Sequence, residues 1–557
     1  MKNQIKYIAA LLFGILFVVT ACTDKFEYMN TELGAYTPDK QIADSKYGNK
    51  MYFNTIQRSI YFNDPAPGGT DWTFQTMQNL NVDMFAGYFH DMASKFTDMN
   101  STYNLNDGWN GTNWTYTYQY GVSALNKSMD ANVNCKPYLA LFKIYKVAML
   151  HRLADQYGAI LYSDFENYIP ESQEKVYTAM FADIDQALSW IDESTQEGIA
   201  QEIIDNITKF DILMKNDKTL AHYAKWANSL RLRLAMRISN VNPKQAATEV
   251  TKALQDPHGL IETNAENVAV FADGSNYKNP LGTIGLSWWE VYMNASMESF
   301  LVGYNDPRTN KYFTPSVGGT EGLDASFKPR FDYKGMQKGI PQGFNYNTPA
   351  ECNHYKYHSR STIQITTDAP LMTASEVWFL RAEAKLREFT GANESVQNCY
   401  EKAVRLSFEQ WGATNADEYL QSNSQPSDYK DVFFESNDMK AVSTITPKWD
   451  ENASKEVKLE RIITQKWLAL YPEGAEAWAE QRRTGYPHLF KVLTNHSNGL
   501  IDTNKMVRRL PFPSGLASSF PDLYQQLVGA LGGADNGGTD VCGVLEKIIS
   551  NRYKNPD

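Results

Sequence analysis

Apolar side chains recur every third or fourth position through the middle of this chain, the spacing that gathers them on one face of an α-helix. Phe142, Tyr145, Met149 and Leu153 make one such stripe, which Gly158 ends. Val176, Met180, Ile184 and Leu188, flanked by Phe181, Ala187 and Ile191, make the next. Two consecutive amphipathic helices packed face to face are predicted. Near Ser375, Val377, Leu380 and Ala384 line another helix, Gly391 and Asn393 make a turn, and Val396, Cys399, Ala403 and Leu406 line the return. Asn393 is placed as the N-cap of that second helix, with Glu394 in its first turn. Further pairs are predicted from Ala221 to Gln255, where Trp226, Leu230, Leu234 and Ile238 recur at intervals of four, and from Glu456 to Arg483.

The stretches between the pairs are rich in Gly, Pro, Asn and aromatic residues, which favour turns and loops. The fold class is therefore mainly α, with about four degenerate helix pairs carrying long irregular loops. Ala382, Ala384 and Ala403 allow close helix approach, so the pair near Ser375 resembles a tetratricopeptide unit. Such pairs must stack on their neighbours, because one pair alone cannot bury its outer face. One segment breaks the helical pattern: His354-Tyr355-Lys356-Tyr357-His358 alternates, and predicts a strand. Its two histidines lack the acidic companion of an H-E-x-x-H zinc helix.

At the N-terminus, Lys2 and Lys6 precede an apolar run from Ile8 to Val19. That run is well short of the ~20 residues needed to cross a bilayer, and small residues follow it, so it reads as a secretory signal. Val19-Thr20-Ala21-Cys22 resembles the bacterial lipobox, in which the cysteine becomes the acylated first residue. Residues 1–21 are read as signal peptide, 22–45 as a lipidated linker and 46–557 as one binding domain. Several acyl chains on Cys22 would give stable membrane attachment where one gives only reversible binding. Asp24, Lys25 and Glu27 loosely resemble an export signal that sends lipoproteins to the cell surface, with periplasmic retention and a plain solvated linker as the alternatives.

Composition narrows the function. With 557 residues, 43% of them hydrophobic and 13% aromatic, the chain supports a large core. A net charge of -11 without a concentrated basic face excludes nucleic acid as a partner. Cys135, Cys352, Cys399 and Cys542 show no C-x-x-C spacing, which disfavours a thiolate metal or redox site. Two disulfides among them are open, although Cys399 occupies an apolar helical position and reads as a buried thiol. Asp535, Gly537 and Asp540 faintly resemble a calcium loop without its closing glutamate, and are read as a flexible loop. No metal and no organic cofactor is expected.

Candidate ligand chemistry lies in the loops. Asp71, Trp72, Trp109, Asn110, Trp114 and Tyr116, with Tyr118 and Tyr120 beyond, crowd an Asn- and Gly-rich stretch. Aromatic rings stack on the C–H face of a sugar while Asn and Asp take its hydroxyls. Aromatic-lined peptide binding would use similar groups. Trp288, Trp289 and Tyr292, near Glu290 and Asn294, form a second group. Trp288, Tyr292 and Ala295 also fit one helical face, so core packing is equally compatible with them. Two alternatives stand beside a binding protein. A lipid-anchored glycan hydrolase needs two facing carboxylates, but strand–helix alternation and a catalytic signature are both missing. A pure interaction scaffold would use the helical repeats alone.

Several segments carry a family resemblance along most of the chain. They are Leu153-Ala154-Asp155-Gln156-Tyr157-Gly158, Trp226 through Arg237, Asn305-Asp306-Pro307-Arg308, Glu376 through Ala384, Glu476-Ala477-Trp478, Arg482 through Pro487, and Arg508-Arg509-Leu510-Pro511. In this order they resemble the SusD/RagB family of nutrient-binding outer-membrane lipoproteins, and its second SusD-like branch in particular. The family often ends in a tryptophan pair after a Gly-Gly-x-Asp loop; this chain has Gly532-Gly533-Ala534-Asp535 but finishes with Arg552-Tyr553-Lys554. The resemblance implies a lipid-anchored protein of the outer membrane, facing the cell surface. Its partner would be a SusC-like TonB-dependent transporter, over which it sits as a lid, and its ligand a glycan, oligosaccharide or peptide. Because the motifs fall within predicted helices, Arg482 and Arg483 are read as framework hydrogen-bond donors rather than ligand clamps.

Overall fold

Four helix pairs form where the apolar stripes place them. The computed structural model describes residues 52–61, 71–91, 96, 98–275, 277–319, 328–343, 354–389, 391 and 394–541. The signal segment, Cys22 and its linker, Cys352, Cys542 and residues 552–554 lie outside the described residues. Helices α1 (Lys136–Tyr157) and α2 (Gln173–Glu197) make the first pair, and α3 (Leu220–Arg237) and α4 (Pro243–Gln255) the second. The third is α5 (Ala374–Leu386) with α6 (Val396–Gln410), and the fourth α7 (Lys455–Leu470) with α8 (Gly474–Thr484). Each pair also packs on others: α3 lies against α1, α2 and α5, α7 against α5 and α6, and α8 returns to α1.

Local signals fix the helix ends. The hydroxyl oxygens of Thr219, Thr373 and Ser454 accept from the third backbone N–H of α3, α5 and α7. At α6 the cap is Ser395, whose Oγ accepts from Asn398 N at 3.1 Å; Asn393, the cap expected from the sequence, lies outside the described residues. The helix thus starts two residues later than the turn residues suggested, with Glu394 before it. Gly485 closes α8 at φ +79°, a left-handed conformation costly for any residue bearing a Cβ.

Short antiparallel strand pairs tie the loops together. Strand β1 (Phe89–Asp91) pairs with β5 (Val291–Met293), β2 (Ile160–Asp164) with β3 (Ile169–Glu171), and β4 (Val268–Val270) with β6 (Ala369–Met372). The His354–Tyr357 segment is a helical turn rather than a strand. Its Tyr357 is buried with Tyr333 and Val432, so tertiary packing overrides the alternating pattern. Asp535 and Asp540 do not form a loose loop: Arg509 Nη1 donates to Asp535 Oδ1 and Arg508 Nε to Asp540 Oδ1, both at 2.5 Å.

The helix pairs meet around a buried ionic network. Arg233 bonds Glu376 with two N–H groups at 2.6 and 2.7 Å. Arg237 bonds Glu476 at 2.6 Å and also Glu480 and Asp155. Arg483 reaches both oxygens of Glu383, at 2.7 and 2.6 Å, and both of Glu480, at 2.9 and 2.6 Å. Lys466 donates to Glu480 at 3.0 Å. The Arg482 guanidinium lies 3.6 Å from the Trp478 ring centre, and it donates to the carbonyls of Asp155 and Arg508. Both arginines of that motif thus hold helices to one another.

Burial opposes charge on these carboxyl groups; it raises Glu376 and Asp155, whereas at Glu476 and Glu480 the neighbouring cations win. Arg237, Arg233 and Lys466 hold Glu476 down to about 2, and Arg483, Lys466 and Arg237 hold Glu480 well below the usual range. A depressed carboxyl contributes stability that is full above its unfolded value, about 4.3 for glutamate, and is lost as pH falls through the folded value. The melting temperature is therefore expected to fall steeply between about pH 4.3 and 2, measured by scanning calorimetry across that window. A flat profile there would mean that the network is not ionised in the folded protein.

Candidate ligand-binding surface

The segment from Asp71 begins as a helix (Asp71–Phe74) and continues through wider π-helical turns (Gln75–Asp83). Thr73, Phe74, Met77 and Leu80 turn inward, with Phe74 stacked on Tyr61 at 5.0 Å. That leaves Trp72 outside, 45% exposed. The edge of its ring meets Tyr116 at 6.3 Å, and Tyr116 stacks on Tyr120 at 5.3 Å with the planes 16° apart. Tyr116 and Tyr120 are four apart on one helical face, which is why they align. That helix can lie close on α1 because residue 121 is glycine: a Cβ there would sit 2.4 Å from Met149 Sδ and 3.0 Å from Ser59 Cβ.

The second aromatic group adjoins the first. Residues 71–74 pack against the helical segment 280–287, and a hydrogen bond joins Thr283 to Asp71. Gln75 Nε2 donates to Glu290 Oε2 at 2.6 Å. Trp288 and Trp289, which lie between Thr283 and Glu290 in sequence, are 40% and 43% exposed. Trp289 is held firmly: its backbone is left-handed at φ +58°, its Nε1–H donates to Leu286 O at 2.7 Å, and the Arg360 guanidinium lies 4.5 Å from its ring centre. Burial raises Asp71 above the usual carboxyl range. On strand β1, which pairs with Val291–Met293, burial pushes Asp91 up to about 8 and His90 down to about 4.

The fold thus joins Trp72, Tyr116, Trp288, Trp289 and Asp71 on adjoining elements, and separates the other predicted site residues from them. Trp109 is half-buried with its ring edge-on to Phe96 at 5.1 Å, beside Leu80 and Met84. Asn110 is buried and exchanges amide hydrogen bonds with Asn100. Trp114 is only 5% exposed, wedged among Tyr118, Tyr157 and Phe512. Tyr292 is fully buried, because residues 291–293 form strand β5 paired to β1 rather than a helical face. Trp114→Leu is accordingly expected to cost about 2 kcal/mol of stability, read by urea denaturation, and to leave ligand affinity unchanged. Arg360 and Gln75 escaped sequence reading: nothing in the pattern connects position 360 to 289, or 75 to 290.

The family model described as "SusD-like: Susd and RagB outer membrane lipoprotein" matches residues 29–542. The chain belongs to the SusD-like family. Solved SusD homologues share its helical architecture. One from Bacteroides vulgatus is 43% identical with a TM-score of 0.82, covering 91% of this chain and 99% of its own. A chitin-binding SusD homologue from Flavobacterium johnsoniae is 34% identical with a TM-score of 0.81, covering 89% and 99%. A third, from Bacteroides uniformis, is 32% identical with a TM-score of 0.76, covering 89% and 99%. No protein of curated function matches the chain in sequence. The family is named for outer-membrane lipoproteins; among the described residues no helix is long and apolar enough to cross a membrane. Among the described residues, no group of three or more His, Cys, Asp or Glu side chains could hold a metal ion.

Proposed function

We propose that this SusD-like protein binds a glycan at the cell surface and passes it, uncleaved, to a TonB-dependent outer-membrane transporter. The observation that carries this reading is the connected run of rings from Trp72 through Tyr116 to Tyr120, adjoined by exposed Trp288 and Trp289. Rings in series offer repeated flat apolar faces to the C–H faces of successive sugar units, while Glu290 and Asp71 supply polar groups for the hydroxyls. The chitin-binding homologue, 34% identical over most of both chains, supports a polysaccharide-derived ligand. Cleavage after Ala21 and acylation of Cys22 attach the domain that starts near residue 46 to lipid. A SusC-like barrel is its partner on this reading, and no cofactor takes part.

A glycan array tests the binding: soluble protein starting after Cys22 retains at least one class of oligosaccharide and returns it intact. Shortened products in the eluate would mean an enzyme, and an array blank across all classes would point to another ligand chemistry.

A further inference from the structure

One cation of the ring surface is left without a counter-charge. Arg360 stands over the exposed Trp289 ring, 4.5 Å from its centre, and its guanidinium makes no hydrogen bond or ion pair with a described residue. The side chain is half-buried and its nitrogens are open to solvent. Arginines elsewhere in the fold are paired with carboxylates, as Arg152 is with Glu473, Arg231 with Asp185, Arg308 with Asp306 and Arg509 with Asp535. In a chain of net charge -11, acidic partners are not scarce.

The fold fixes Arg360 in place and engages the nearby acids elsewhere. Its backbone bridges to Tyr292 of strand β5, Thr314 N donates to its carbonyl at 2.8 Å, and Ser359 and Ser361 on either side are buried. The two carboxyl groups of this surface have other partners: Glu290 Oε2 accepts from Gln75 Nε2 at 2.6 Å, and Asp71 is hydrogen-bonded to Thr283. Charge is thus divided along the surface, with carboxyl groups at the Asp71–Gln75 segment and a guanidinium at Trp289.

A cation–π contact answers the charge of a guanidinium but not its hydrogen-bonding capacity, five N–H donors in a fixed fork that matches a carboxylate. A uronic acid bears its carboxylate on the same ring whose C–H face stacks on an indole, so one sugar unit can use both groups. A carboxylate on every unit would also meet Asp71 and Glu290, and like charges repel; neutral units there donate hydroxyls to the two acids instead. We propose that the ring surface takes a glycan in which uronic-acid units are spaced by neutral sugars, Arg360 receiving a carboxylate while the adjoining indole stacks on the sugar. This rests on the glycan reading of the same surface.

Calorimetric titration of purified full-length protein compares hyaluronan, unsulfated chondroitin and glucuronoxylan oligosaccharides, each with its carboxyl-reduced form, the same chain with a primary alcohol in place of the acid. For at least one pair the acidic member is expected to bind about tenfold tighter or more, and the preference to shrink as salt is raised, because an accessible ion pair is screened. In Arg360→Met the preference should fall to within about twofold, and Arg360→Lys, which keeps the charge without the fork, should restore part of it. The readout is the ratio of two affinities, so any effect of Arg360 on the orientation of Trp289, common to both members, cancels. Equal binding of both members of every pair would overturn the proposal while leaving the glycan reading intact, and so would a preference that survives in Arg360→Met. Binding by neither member of any pair would sink the glycan reading itself, and the proposal with it.

Discussion

Arg483→Met is expected to lower the stability of the folded protein by about 3–5 kcal/mol, the usual result of removing one partner from a buried ion pair. Arg483 is fully buried and joins Glu383 on α5 to Glu480 on α8. Its loss leaves Glu383 with Arg387, and Glu480 with Lys466 and Arg237, in a medium that solvates charge poorly. Breaking the pair is costly mainly because of what stays behind, since well-packed apolar groups in place of every member can be nearly neutral. Arg483→Met/Glu383→Leu is therefore expected to regain part of the loss. Urea denaturation read by circular dichroism gives both values, and a single variant within 1 kcal/mol of wild type would show that the network is weakly engaged. Neither variant touches the ring surface, so whatever folds should still bind ligand.

The second large effect concerns binding. Trp72→Ala/Trp288→Ala/Trp289→Ala is expected to weaken oligosaccharide binding by roughly a hundredfold or more, at about 1 kcal/mol per stacked ring. All three side chains are two-fifths or more exposed, so thermal stability should change little. Within the set, Trp289 should matter most per ring, because Leu286 O and Arg360 hold it in one orientation and little rotamer freedom is lost on binding. Triple-variant protein with wild-type affinity would move the ligand site elsewhere on the molecule.

The helices were legible in the sequence because their signal is local. Stripes such as Val176, Met180, Ile184 and Leu188 repeat with the helical period, and all four bury on α2 as that period demands. The candidate ring surface is legible only in part, because its signal is not local. Trp114 and Trp72 stand in equally aromatic, Asn-rich surroundings; Tyr157 and Phe512, distant in sequence, close over one and not the other. Tyr292 read as helical because a three-residue strand is too short to show an alternating pattern, and its partner β1 lies some 200 residues away in sequence. The Trp289 clamp was invisible for the same reason: a guanidinium supplied from position 360 leaves no mark in the residues around 289. At the start of α6 two candidate caps stand two positions apart in the sequence, and the capping bond is the one Ser395 makes.

Isothermal titration of the wild-type protein with oligosaccharides of increasing length, chitin oligomers first, puts the glycan-binding reading to its most direct test when the recovered sugar is then weighed by mass spectrometry. Saturable binding that tightens as chain length grows to cover successive rings, with every molecule recovered at its starting mass, is the predicted result. Affinity indifferent to length and to the triple substitution, or sugar recovered in shortened pieces, would contradict it.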